Sequence, residues 1–126
     1  MTKRNLVHIE IPAANSAKAA KFYQSLFGWK TTRDEKMDYT MWEPAEGPGG
    51  GFSPLDEQVK PGDVLIYIDS DDIEADLKQV VKLGGKVIRP KSEIPGVGWF
   101  AIFKDPTGNS LGKFRSRAGL WARTIP

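Results

Sequence analysis

Leu6-Val7-His8-Ile9-Glu10-Ile11-Pro12, then Asn15-Ser16, the run Ala17 to Phe27 and Gly28-Trp29-Lys30, is the stretch on which the fold turns, because its parts return fifty-six residues later. Asn15 is answered by Asp71, Gly28 by Gly84 and Lys30 by Lys86. A repeat of that length in a chain of 126 residues means two similar half-domains sharing one core, rather than a long array. Function is then expected where the halves meet.

Working outward, Leu6 to Ile11 alternates with period two, with Val7, Ile9 and Ile11 on one side and His8 and Glu10 on the other, as a strand with one polar face should. Pro12 stops it and Asn15-Ser16 offers an N-cap. The spacing of Ala19, Phe22, Leu26 and Phe27 predicts a helix whose apolar stripe, with Phe22, Leu26 and Phe27, is core, and Gly28 ends it. Trp29 to Glu43 reads as two strands around a turn near Asp34-Glu35, and the Gly- and Pro-rich stretch 44–54 as a loop with a short strand at Gly51-Phe52-Ser53. After Pro61-Gly62, Val64 to Ile68 reads as a strand. Asp71 or Asp72 caps a helix striped by Ile73, Leu77, Val80 and Val81, and Gly84-Gly85 closes it. A strand over 86–89, a loop over 90–98, a strand over 99–103, a tight turn over 105–109 and a last strand over 110–114 complete a second βαβββ pattern. The expected class is α+β, a single domain over 1–126 made of halves at about 4–54 and 62–115, with cupped mixed sheets around a cavity.

Composition narrows the function. Eighteen basic and sixteen acidic residues are interspersed, for a net charge of +2, which speaks against a nucleic-acid partner. The local excess at Arg115, Arg117 and Arg123 reads as a solvated tail, or else as a site for an anionic partner. There is no cysteine, so disulfides, thiolate metal sites and a cysteine nucleophile are excluded. No segment is apolar for the roughly 18 residues of a membrane span, and Met1-Thr2-Lys3-Arg4-Asn5 leads into a strand rather than a signal sequence. No membrane partner and a cytoplasmic location are therefore expected.

His8 seven residues before Asn15, Phe22-Tyr23, Leu26-Phe27-Gly28-Trp29, Asp71-Asp72, Gly84-Gly85 and Phe103-Lys104-Asp105-Pro106-Thr107-Gly108-Asn109, in that order, resemble the vicinal oxygen chelate superfamily of glyoxalase I, bleomycin-resistance proteins and extradiol dioxygenases. Ile94-Pro95-Gly96-Val97-Gly98-Trp99-Phe100 further looks like a branch related to lactoylglutathione lyase. The resemblance implies a paired βαβββ fold, a homodimer, a small-molecule ligand, and a divalent metal held by His and Glu that binds two neighbouring substrate oxygens. His8 stands at the first ligand position. Leu65 stands where a second His would be, Gly112 where the family has Glu, and the fourth position falls in Gly49-Gly50-Gly51-Phe52. One histidine cannot hold a catalytic metal, which takes at least about three protein ligands. No metal or other cofactor is expected.

His8 is the one residue with an unperturbed pKa near neutrality and is the natural general base, or an ordinary strand histidine. Glu10 shares its face. Asp63 orients His8 or is a turn residue after Pro61-Gly62. Trp42, Leu65, Tyr67, Trp99, Phe100, Gly112 and Phe114 are the candidate substrate-binding residues, with Gly112 supplying space, or the aromatics among them are core. The glycine run 47–51 lacks the phosphate-loop pattern and reads as a flap or surface loop. Two functions remain: a lyase- or isomerase-type enzyme that has lost its metal cage, or a binding protein of the bleomycin-resistance type that sequesters its ligand unchanged. A structural partner protein, with Gly119-Leu120-Trp121 packing on a second subunit, is a third.

Overall fold

Alternation and capping produce ten elements in the computed structural model, which describes residues 4–117: β1 (Leu6–Pro12), α1 (Ser16–Phe27), β2 (Lys30–Asp34), β3 (Tyr39–Glu43), β4 (Gly50–Ser53), β5 (Leu65–Asp69), α2 (Ile73–Lys82), β6 (Lys86–Ile94), β7 (Gly98–Lys104) and β8 (Ser110–Ser116). The order is βαβββ twice, and the class is α+β. Two compact units share these elements, residues 8–65 in one and residues 4–7 with 66–117 in the other, so the divisions fall inside β1 and β5. None of the described helices is long and apolar enough to cross a membrane.

In the unit of residues 8–65 the strand order is β2-β3-β4-β1. β2, β3 and β4 are antiparallel neighbours, and β1 joins β4 in parallel with Ile9 opposite Gly50 and Ile11 opposite Phe52. A parallel pair cannot be closed by a hairpin, and the chain makes the crossover through α1, β2 and β3. Asn15 Oδ1 accepts the Lys18 N–H at the start of α1, and Gly28, at φ +73°, ends it with an N–H donated to Gln24 O. The helix does not bury the stripe expected of it. Ala19, Ala20 and Tyr23 face the sheet, against Trp42, Phe52 and Trp29, while Phe22, Leu26 and Phe27 are 58%, 58% and 57% exposed. Two alanines let the helix lie close to the strands, and the aromatic filling comes from Tyr23, whose ring lies stacked 5.3 Å from Trp29 and 5.9 Å from Phe52. Trp29 in turn stacks on Trp42 at 4.3 Å. Such ring pairs contribute about 0.5–1.5 kcal/mol each beyond the area they bury.

In the other unit the order is β5-β8-β7-β6, with β5 parallel to β8 and the rest antiparallel. Asp72, rather than Asp71, caps α2 by accepting the Ala75 N–H. Ile73 and Leu77 pack on Ala101 with Val87, Trp99 and Phe103, whereas Val81, expected in the stripe, is exposed. Lys113 of β8 is buried and ion-paired at 3.2 Å with Asp76 of α2, which also accepts from Ser70 Oγ at 2.6 Å and from Arg4 at 3.0 Å. Burial raises the Asp76 pKa, but the Ser70 hydroxyl, Arg4 and Lys113 outweigh it and hold the carboxyl below its ordinary value.

β6 corrects the expected short strand and loop, since it runs on through Pro90 to Ile94. β6 is the edge of its order, where a missing N–H costs no ladder bond, and the pairing with β7 slips between Val87 and Arg89 and again between Arg89 and Ser92. At the end of β8 the basic residues are engaged: Arg115 donates to Asp71 O and Arg117 pairs with Glu93. Arg123 and Gly119-Leu120-Trp121 lie outside the described residues.

Candidate functional site

Because Ile9 and Ile11 are spent on the core under α1, the period of β1 turns His8 and Glu10 to the opposite face. On β3 the same rule sends Thr40 and Trp42 toward the helix and Tyr39 and Met41 away from it. Tyr39 then reaches diagonally across β4, and its hydroxyl lies 2.7 Å from His8 Nε2 and donates to Glu10 Oε2. His8 Nε2 and Glu10 Oε2 are themselves 3.4 Å apart. His8 is buried and Glu10 and Tyr39 are half-buried.

The strand between them makes the reach possible. Gly51 of β4 lies opposite Glu10 on one side and Met41 on the other, and a Cβ added there would meet the Tyr39 hydroxyl at 1.9 Å. The ring therefore occupies the place a Gly51 side chain would take. A phenol has one proton, and the proton given to Glu10 leaves the oxygen as acceptor for His8 Nε2–H. This count makes Nε2 the protonated, donating nitrogen of the imidazole. The result is a compact triangle of imidazole, phenol and carboxylate, similar in logic to a base oriented by a neighbouring acid.

The C-terminal half repeats the tyrosine-over-glycine device. Tyr67 of β5 lies opposite Gly112 of β8, and a Cβ on Gly112 would fall 2.4 Å from the Tyr67 ring. Gly112 thus does not supply the space expected of it, because Tyr67 fills that space. Phe100 meets Tyr67 edge-on at 6.5 Å and lies opposite Phe114, which is 2% exposed, while Leu65 has the strand parity of Tyr67. Tyr67, Phe100 and Phe114 share the face turned from α2.

Other expected site residues are placed elsewhere. Trp42 is in the α1 core and donates its indole N–H to Gly51 O, and Trp99 packs with the α2 core, so both take the core reading of their aromatic rings. Asp63 is exposed in a turn, its N–H donated to Lys60 O and its Oδ2 accepting Lys60 N–H. Asp105 serves the 105–109 turn, where N–H groups of Asn109 and Thr107 and the Thr107 hydroxyl hold its carboxyl below the ordinary range. Tyr39 is the residue that sequence reading missed. Its signal was present as a tyrosine two residues before Met41 on the parity opposite Trp42, but its partners stand 29 and 31 residues earlier in the chain.

The metal implied by the resemblance fails a test against the donors present. His8 and Glu10 provide two ligand groups with a phenol hydrogen-bonded to both, and Gly51 and Gly112 provide none. Among the described residues no three His, Asp or Glu side chains converge. The residues do not fit a chelated divalent ion.

Comparison with known proteins accords with this architecture. A glyoxalase-like domain matches residues 7–112. A glyoxylase-like domain-containing protein of Didymella fabae is 35% identical over 111 residues, covering 81% of this chain and 86% of its own. Further curated relatives are about twice as long, the chain spanning 48% or 45% of their length. A Vibrio splendidus member of the glyoxalase/bleomycin resistance protein/dioxygenase superfamily superposes with TM-score 0.64 at 12% identity, covering 90% of this chain and 100% of that one. Methylmalonyl-CoA epimerase from Mycobacterium tuberculosis does so with TM-score 0.65 at 13% identity, covering 92% of each chain. The chain belongs to the glyoxalase-like domain family, and its fold is shared with a structure of the glyoxalase/bleomycin resistance protein/dioxygenase superfamily.

Proposed function

We propose that this protein is a lyase- or isomerase-type enzyme that moves a proton at a carbon next to the carbonyl of a small oxygenated metabolite, using side chains in place of a chelated metal. The observation that carries this reading is the Tyr39 hydroxyl held between His8 Nε2 and Glu10 Oε2. His8 takes the proton from carbon, and the imidazolium so formed is stabilised by the Tyr39 phenol and the Glu10 carboxylate beside it. Returning the proton completes an isomerisation, and expelling a group from the adjacent carbon completes an elimination. A positioned base of this kind contributes a factor of about 10² to 10⁴. The fold likeness to an epimerase is in keeping with such chemistry, and at 13% identity it speaks for the fold alone.

Tyr67, Phe100 and Phe114, within the unit that holds residues 66–117, are assigned to apolar ligand contact there, on the support of their shared strand face. A homodimer is kept as part of the proposal, supported by the exposed Phe22, Leu26 and Phe27 of α1 and tested by sedimentation equilibrium. A cytoplasmic setting suits a chain without cysteine. The second reading, sequestration without chemistry, draws on the same aromatic face.

The test is solvent deuterium uptake. Chelator-treated protein is incubated in D₂O with a panel of thioesters, 2-hydroxy ketones and glutathione hemithioacetals, and exchange at the carbon next to the carbonyl is followed by NMR. The expected result is exchange with at least one compound, abolished in His8→Ala and cut by about tenfold or more in Tyr39→Phe. Undiminished exchange in His8→Ala would overturn the base assignment. A stoichiometric complex returning its ligand unchanged would select sequestration.

A further inference from the structure

Arg89 is turned out of the core by an irregularity in its own strand. Val87 lies opposite Phe103 and packs on the Ile73, Leu77 and Ala101 core, so an unbroken ladder would carry Arg89, two residues on, to a position opposite Ala101, which is 0% exposed. The register shift between Val87 and Arg89 adds one residue to β6 and places Arg89 opposite Ile102 instead. A bulge re-aims a side chain in this way, and bulges cluster beside binding sites. The second shift sets Ser92 opposite Phe100, again on the face turned from α2.

What Arg89 finds there is a ring, not an acid. Its guanidinium carbon stands 5.2 Å from the centre of Phe100. Among the described residues every other arginine is hydrogen-bonded to an acceptor: Arg4 to Asp76, Arg33 to Asp38, Arg115 to Asp71 O and Arg117 to Glu93. Arg89 makes the face contact alone. A guanidinium laid on an aromatic ring keeps its N–H edge pointed outward, in a fork that matches a carboxylate or phosphate. Phe100 is backed by Tyr67 and Phe114, so the Arg89 guanidinium borders an apolar floor.

We infer that Arg89, Phe100 and Ile102 form a binding site for a small organic anion, its carboxylate or phosphate taken by the Arg89 fork and its carbon skeleton lying on Phe100. The inference does not depend on His8 being a base, since the anchor and the His8 group belong to different compact units.

Uniformly ¹⁵N-labelled protein is titrated with phenylacetate and hexanoate, with phenylacetamide as the uncharged counterpart and inorganic phosphate as the bare anion. Expected are saturable shifts of the Arg89 Nε–H signal and of the Phe100 and Ile102 amides with both acids, and binding at least about tenfold weaker for the amide. Arg89→Gln should abolish the response with an unchanged melting temperature, and Arg89→Lys, which keeps the charge and loses the fork, should weaken it. Should Arg89→Gln fail to fold, a loss of phenylacetate binding in Arg89→Lys carries the same weight. No saturable shift with either acid, equal binding of phenylacetamide, or unchanged binding in both variants would overturn the site. Phosphate binding as tightly as phenylacetate would overturn the apolar part, because the floor would then contribute nothing.

Discussion

At the scale of the residue, Gly51 and Tyr39 behave as one unit. A methyl group at position 51 would occupy the hydroxyl's place, 1.9 Å from its oxygen, so Gly51→Ala must push the ring off its partners. Overpacking of this kind costs typically about 1–3 kcal/mol, and the expected result is a lower melting temperature together with loss of the His8 and Glu10 contacts, read from the His8 ring signals by NMR. Tyr39→Phe removes the contacts and leaves the ring. Its expected signature is near-native stability with displaced His8 ring signals in NMR, and unchanged ring signals would show that the phenol does not order His8. Of the candidate site, His8 and Glu10 were legible because strand alternation needs only six residues to read. Tyr39 was not, since the bonds that give it a role arise from a tertiary approach across β4, which no local pattern records.

At the scale of the element, caps and parity were legible while faces and lengths were partly hidden. Asp72 shows the cap at work: it accepts the Ala75 N–H, and Asp72→Ala should lower stability by about 1 kcal/mol in denaturant unfolding, whereas Asp71→Ala, at a residue outside the cap, should leave the helix end intact. The α1 stripe misled because residue size outweighs spacing. Phe22 and Leu26 have the bulk expected of a core, yet Ala19 and Ala20 are what a closely packed helix needs beneath it, and Tyr23 beside them supplies the fill. β6 was read short because Pro90 ordinarily ends a strand. It does not do so at an edge where two slips in register have already loosened the ladder.

At the scale of the whole molecule, acid stability should report Asp76. Its carboxyl is held below the ordinary value by Ser70, Arg4 and Lys113, so the folded state keeps it ionised more firmly than the unfolded chain does. The stabilisation is fully present above the unfolded pKa, near 3.8, and is lost as pH falls through the lower folded value. Asp76→Asn should therefore lower stability at neutral pH and flatten its decline below about pH 4, a comparison made by urea unfolding across the acid range. A parallel decline in both proteins would assign acid sensitivity to other groups.

The two glycines covered by tyrosines bear on how such a chain can change over generations. A carboxylate placed at position 51 or 112 would bring its first carbon against Tyr39 or Tyr67, so the ring has to move before the new side chain fits. At position 51 that move takes the Tyr39 phenol off His8 and Glu10. Each glycine and its tyrosine are thus bound to change together, and a substitution at one is tolerated only as far as the other gives way.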